Sequence, residues 1–407
     1  MKWFVSSFMV TACAASTGAV IPDAGPDGGT PGDGGCLGST LLEGLGKQNV
    51  LVGAYMSDST SAATTWDVRY IYLAGGLFDS PAPCTSCATG CTAQNKSCAN
   101  SANGCAWWGC YQYDQNPPGE YARNFVANAA MSGQVFHFTY YELLQASGVA
   151  EGSAEVTQAA TNASFMTRYL ADFRFLLQQI GTHAAFVQVE PDFWAYAQIV
   201  NADPHKIPAA VATANATDCG AQENSIAGMG RCMIAMARKY APGARIGLHG
   251  SGFATGQDVL KNSNASLDVA AEAAKLGAFL LACGAGASDF ITVDASDRDA
   301  GFNHNYWDAT NATLPNFHQA FAWAKALAEN VGKPSIWWQV PLGNSSTNYT
   351  DNRVDYFFSH TSELAAAHSA GMFFGAGASG QTTPETDGGN LIAKEKAYIK
   401  APQRFCH

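Results

Sequence analysis

Charge is scarce in this chain, and positive charge is scarcest. Asp, Glu, Lys and Arg make up 14% of its 407 residues, with 22 Lys and Arg against 33 Asp and Glu. The net charge of −11 excludes nucleic acid and an anionic membrane surface as partners, and it suits an uncharged ligand. Histidine is also sparse, at nine residues, and neither H-x-H nor H-E-x-x-H occurs. Only His137 and His249 are placed to ligate a metal, so no metal and no cofactor are expected. There is no G-x-S-x-G nucleophile elbow, which argues against serine hydrolysis. No G-x-G-x-x-G turn follows an early strand, which argues against a dinucleotide-binding sheet. The late run Gly375 to Gly380 lacks a Lys partner and reads as a tight loop.

Long apolar runs are missing except at the start. Lys2 precedes the short run Trp3 to Ala12, which fits a signal peptide rather than a bilayer span. Val10-Thr11-Ala12-Cys13 resembles a bacterial lipobox, which would make residues 1–13 a leader and Cys13 a lipid anchor. Cleavage near Ala14 or Ala15 is the alternative. Residues 14–36, rich in Gly, Pro and Asp, read as a flexible tether. Export, free or as an outer-membrane or cell-surface lipoprotein, agrees with the twelve cysteines. Six of these fall between Cys84 and Cys110, inside a Ser/Ala/Asn/Gly-rich insertion over 79–118, and read as local disulfides. Cys219 is expected to bridge to Cys232 and Cys36 to Cys406, with Cys283 a buried free thiol.

From residue 37 onward, apolar strand-like runs alternate with helical stretches. Strands are expected at 50–57, 69–78, 134–141, 184–189, 245–249, 290–294, 335–340 and 372–376. Helices are expected at 120–131, 164–181, 222–240, 267–283, 316–331, 355–369 and 389–399, and a long loop at 193–220. Eight strands with mostly apolar faces predict a parallel sheet covered on both sides. In one chain they predict an α/β fold, a (β/α)8 TIM barrel over 37–407 with the cysteine-rich insertion after strand 2. A monomer is expected.

In such a barrel the strands' C-terminal ends line the functional cleft. Those ends bring Tyr55, Tyr141, Glu142, Glu190, Asp192, His249, Asp294, Trp338 and Gln339 to one mouth, with Asp387 after strand 8. Carboxylates and aromatics without a phosphate cradle suit an uncharged polyhydroxylated substrate, cleaved by an acid and a second carboxylate. Glu190 and Asp192, two apart, are expected on the same side, where repulsion raises one pKa. Either donates the proton, and Asp294 or Asp387 activates water. Trp194, Trp307, Trp337 and Trp338 are candidate sugar platforms, with some of them packing residues, and Tyr55, Tyr141, Glu142, His249 and Gln339 candidate substrate contacts.

Two partial family resemblances sit on these residues. Val187-Gln188-Val189-Glu190-Pro191-Asp192 resembles the strand-4 signature of the family 6 glycoside hydrolases, the inverting cellulases. That resemblance implies Asp192 as proton donor, and Pro384-Glu385-Thr386-Asp387-Gly388 is similar to their late acidic segment. The family's early arginine motif is missing. Glu190-Pro191 is also similar to the strand-4 acid/base segment of the retaining barrel clan that holds the family 5 cellulases and mannanases. In that clan a Glu ends strand 7; here Gln339 stands in its place. The resemblances imply a glycoside hydrolase acting on a β-glucan- or mannan-like polysaccharide. The alternative is a surface carbohydrate-binding lipoprotein that has lost catalysis.

Overall fold

The computed structural model describes residues 36–74, 77, 118–375 and 377–406. The leader over 1–13, all of the tether over 14–36 except Cys36, and the insertion over 79–118 except Pro118 lie outside these residues. Within them, eight parallel strands close into a barrel in sequence order. The strands are β1 (Leu51–Tyr55), β2 (Val68–Leu73), β3 (Val135–Tyr140) and β4 (Ala185–Val189), then β5 (Ala244–Gly250), β6 (Phe290–Asp294), β7 (Ser335–Val340) and β8 (Ser369–Phe374). This is the (β/α)8 TIM barrel that the spacing of apolar runs predicts. No described helix is long and apolar enough to cross a membrane.

Strand alternation decides what each residue faces. On β7, Trp337 points outward into the helical layer, its ring 5.8 Å from Phe321 and 5.6 Å from Phe357. Its neighbour Trp338 points inward, 5.5 Å from Tyr72 and 5.6 Å from His249. Truncating the fully buried Trp337 to Ala costs about 3–5 kcal/mol. The barrel floor is aromatic, with Phe186 5.3 Å from Phe290 and His137 5.5 Å from Phe373. Gly247 makes room for that floor, since a Cβ there would sit 2.4 Å from the Phe290 ring.

Three element expectations need correction. The loop expected at 193–220 opens with a helix, Phe193–Val200, directly after Asp192. Its sequence is apolar nearly all round, so it shows no 3.6-residue polar period to read. The helix expected over 355–369 is two, Arg353–Ser359 and Thr361–Ala366, broken at His360. Strand 8 starts three residues earlier than expected, because Ser369 already pairs with Ser335. Cys219 and Cys232 form a disulfide, Cys36 and Cys406 are both disulfide-bonded, and Cys283 is free and buried.

Candidate active site

The chain leaves β4 in an unusual backbone path. Glu190 (φ 47°) and Asp192 (φ 65°) both take the left-handed conformation that side chains disfavour, and Gln339 (φ 58°) does so near the end of β7. Three of the six such non-glycine residues in the described chain thus lie at this barrel mouth. Strain of this kind persists where surrounding structure over-determines it, and such places cluster at functional sites.

The strain separates the two carboxylates that the sequence places side by side. Extended alternation ends at Val189, so Glu190 and Asp192 do not share a face. Glu190 turns inward and is fully buried. One of its oxygens accepts from the backbone N–H groups of Glu142 (3.0 Å) and Leu143 (3.1 Å). Burial pushes its pKa up to about 8 against these hydrogen bonds. Asp192 turns to the cleft, where its Oδ1 accepts from Ser251 Oγ at 2.9 Å. Its pKa is raised to about 6, first by burial and then by Asp294; the expected repulsion from Glu190 is not among the main causes.

Asp294 faces Asp192 from the end of β6, and His249 Nε2 lies 3.3 Å from Asp294 Oδ1. One ligand atom from each of Asp192, His249 and Asp294 lies within 4.8 Å of the others. Among the described residues this trio is the group of acidic and imidazole side chains that could hold a cation. The same closeness makes Asp192 and Asp294 a carboxylate pair able to share one reaction centre.

Two adjoining cavities open around the pair, of about 220 and 370 Å³. Glu151, Asp192, Asp297, Arg298 and Gln339 line both. The first adds Asp294, Tyr196 and Lys261; the second adds Tyr72, Tyr141 and Trp338. Trp338 presents a buried indole N–H with no partner among the described residues, and the Gln339 amide donates to the Tyr72 hydroxyl. The Tyr141 hydroxyl is raised, first by burial and then by Asp192.

Of the residues expected at the mouth, Asp192, Asp294, Tyr141, Trp338 and Gln339 line the two cavities, and His249, expected as a substrate contact, lies buried behind Asp294 and lines neither. The rest stand apart from the two cavities. Tyr55 is 42% exposed against Tyr70 and Tyr72. Glu142 is buried at the start of the helix Leu143–Ser147. Asp387 is buried, accepting from the backbone N–H groups of Gly389 and Leu391, both at 2.7 Å. Trp194 and Trp307 are fully buried and cannot be sugar platforms. Their indole N–H groups donate to the carbonyls of Val189 and Leu260, and the Arg353 guanidinium covers the Trp307 ring.

Sequence reasoning missed Glu151, which lines both cavities and accepts from Tyr196 Oη at 2.8 Å. It also missed Glu155 nearby, raised to about 7 by burial. Both lie beyond the strand ends, where no period marks a cleft residue. Asp297 lines both cavities, whereas Asp299 beside it is buried.

No protein-family model matches the chain, and no curated protein does. Solved structures match in fold. The endoglucanase Cel6 from Mycobacterium tuberculosis aligns at 12% identity over 54% of this chain, with a TM-score of 0.31, and the chain spans only 56% of that enzyme. The xylanase XynB from Paenibacillus barcinonensis aligns at 7% identity over 83% of this chain and 86% of its own, with a TM-score of 0.40. The carboxyl transferase domain of Rhizobium etli pyruvate carboxylase aligns at 10% identity over 88% of this chain and 44% of its own, also with a TM-score of 0.40.

Proposed function

We propose that the chain is an exported glycoside hydrolase that cleaves a neutral polysaccharide with Asp192 as acid and Asp294 as the second carboxylate. The observation that carries this reading is the opposed pair at the barrel mouth, with Asp192 raised to about 6 beside Asp294. A group with that pKa keeps its proton in mildly acidic solution and can give it to a glycosidic oxygen. The approach to within 4.8 Å favours the roughly 5–5.5 Å separation of retaining enzymes over the 6.5–9.5 Å of inverting ones. Retention would proceed in two steps. Asp294 attacks the anomeric carbon while the leaving oxygen departs with the proton of Asp192. Asp192 then takes a proton from water, which attacks the same carbon and releases Asp294.

Tyr72, Tyr141 and Trp338 supply aromatic faces for sugar rings, and the Trp338 N–H, without a partner among the described residues, and the Gln339 amide supply donors for hydroxyls. Glu190 and Asp387, candidates by sequence, act here as holders of backbone. Export rests on the leader-like start and the disulfides, and attachment through a lipidated Cys13 is the finer form of that proposal.

The test is reducing-sugar release from β-glucans, mannans and xylans by wild type, Asp192→Asn and Asp294→Asn. Each variant should lose on the order of 10²–10⁴-fold in rate. Because the acid must be protonated, wild-type kcat/KM should fall as pH rises through about 6. A second reading is favoured by Gln339, an amide where the retaining clan has its nucleophile: a carbohydrate-binding protein without catalysis. Polysaccharide binding without release, equal in wild type and Asp192→Asn, would establish that reading instead.

A further inference from the structure

Beneath the paired aspartates the barrel interior holds a continuous chain of buried polar groups. His137 Nε2 lies 3.0 Å from Gln188 Oε1, and Thr139 Oγ1 donates to the same oxygen at 3.1 Å. At its other end, Gln188 Nε2 lies 3.1 Å from His249 Nδ1, and Thr292 Oγ1 is 3.0 Å from that nitrogen. His249 Nε2 then faces Asp294 Oδ1 at 3.3 Å. The chain crosses β3, β4, β5 and β6, and all five residues before Asp294 are buried. None of the five lines either cavity, so substrate does not touch them. A barrel centre needs no such chain for stability, because apolar packing does as well without the cost of desolvating polar groups.

Such a chain has a direction. An amide has one donor end and one acceptor end, and a neutral imidazole likewise has one of each. The threonine hydroxyls fit either direction, so they do not choose. Asp294 does. With Gln188 donating to His249 Nδ1, the imidazole proton sits on Nε2 and is given to the Asp294 carboxylate. In the reverse direction, Nε2 would turn a lone pair toward a carboxylate oxygen, which is tolerable only if Asp294 itself takes up a proton. His137, whose pKa burial pushes down to about 3, stays neutral and supplies a donor at the far end.

We propose that Gln188 is a positioning residue: by donating to His249 Nδ1 it holds the imidazole proton on Nε2 and so keeps a donor aimed at Asp294 Oδ1, the second carboxylate of the pair. The inference rests on the Asp192–Asp294 reading of the site. Besides His249, the charged groups around Asp294 are Asp192 across the cleft, Asp297 with its partner Arg298, and, in the same cavity lining, Glu151 and Lys261 with its partner Asp258. Trp338 covers the His249 ring with its edge and brings no charge. Without the Gln188 donor, either ring nitrogen of His249 can carry the proton. The donor aimed at Asp294 is then no longer fixed.

The experiment is a 15N–1H spectrum of the imidazole nitrogens of the full chain at neutral pH, with the His249 signals identified by their loss in His249→Gln. The wild type should show His249 protonated at Nε2 and unprotonated at Nδ1. In Gln188→Leu that signature should give way to a mixture of the two tautomers. With polysaccharide as substrate, Gln188→Leu should lose roughly tenfold in kcat with KM nearly unchanged. A wild-type His249 protonated at Nδ1 overturns the proposal, and so does an unchanged kcat in a folded Gln188→Leu chain. The wild-type spectrum needs no variant other than the assignment control, so a Gln188→Leu chain that fails to fold leaves the proposal open to refutation. An Nε2–H signature in a chain that hydrolyses no polysaccharide would refute the proposed activity while leaving the tautomer assignment intact.

Discussion

Glu190 and Asp192 share a sequence motif and a charge, yet their surroundings give them opposite tasks. Glu190 is held near pKa 8 by burial, well above its value in an unfolded chain. At neutral pH the folded state therefore binds a proton that the unfolded state has released. This makes folding less favourable as pH rises from about 4.5 toward 8. Glu190→Gln keeps an acceptor for the Glu142 and Leu143 N–H groups and removes this titration. Its melting temperature should gain on wild type between pH 5 and pH 8, by on the order of a few degrees, with hydrolysis retained. Thermal melts at the two pH values check it, and loss of hydrolysis in a folded Glu190→Gln chain would return the acid role to Glu190. The carboxylates at the strand ends were legible in the sequence. Which of them faced the cleft was not, because that depends on two left-handed residues where extended alternation stops.

At the scale of elements, the strands were readable because each carries its own apolar run, and the cleft-lining loops were not. β7 shows the limit. Its alternation sends Trp337 outward and Trp338 inward, and either phase would have satisfied a strand of four apolar or aromatic residues in six. Gln339, with its left-handed backbone, is held by contact from the loop after β8. A Cβ on Gly377 would lie 2.3 Å from the Gln339 Nε2 and 2.4 Å from its Cδ. Gly377→Ala should therefore displace the amide from the cleft without disturbing the barrel. Steady-state kinetics should show KM raised about tenfold, an effect of roughly 1.4 kcal/mol, with the melting temperature nearly unchanged. An unaltered KM would remove Gln339 from the substrate contacts.

For the molecule as a whole, the net charge of −11 and the carboxylate-rich mouth disfavour acidic polymers. Hydrolysis of a neutral glucan or mannan should change less than about twofold between 0.05 and 0.5 M salt, since no long-range attraction is being screened. A steep loss of activity with salt would point to a charged substrate. Chelation is the companion test of the Asp192–His249–Asp294 trio. If the three act through protons, dialysis against EDTA leaves the rate unchanged, and a loss restored by one divalent ion would make them ligands instead.

Four acidic side chains bear on how such a barrel keeps its loops in place. Asp299 accepts from the backbone of Gly343 and from both the backbone and hydroxyl of Thr382, so the turns after β6, β7 and β8 are stitched by one side chain. Glu190 joins the end of β4 to the start of the next helix after β3, Asp387 gathers Gly389 and Leu391, and Glu385 reaches Ser57 and Thr60. Four of the 33 acidic side chains thus serve as tethers for the loops around the barrel mouth. Among these ties the Glu385 carboxyl is held below its ordinary pKa, against the effect of burial, by its hydrogen bonds to Ser57 and Thr60, so acid should loosen the link from the loop after β8 to the segment after β1 while Glu190 and Asp387, both raised by burial, keep their grip.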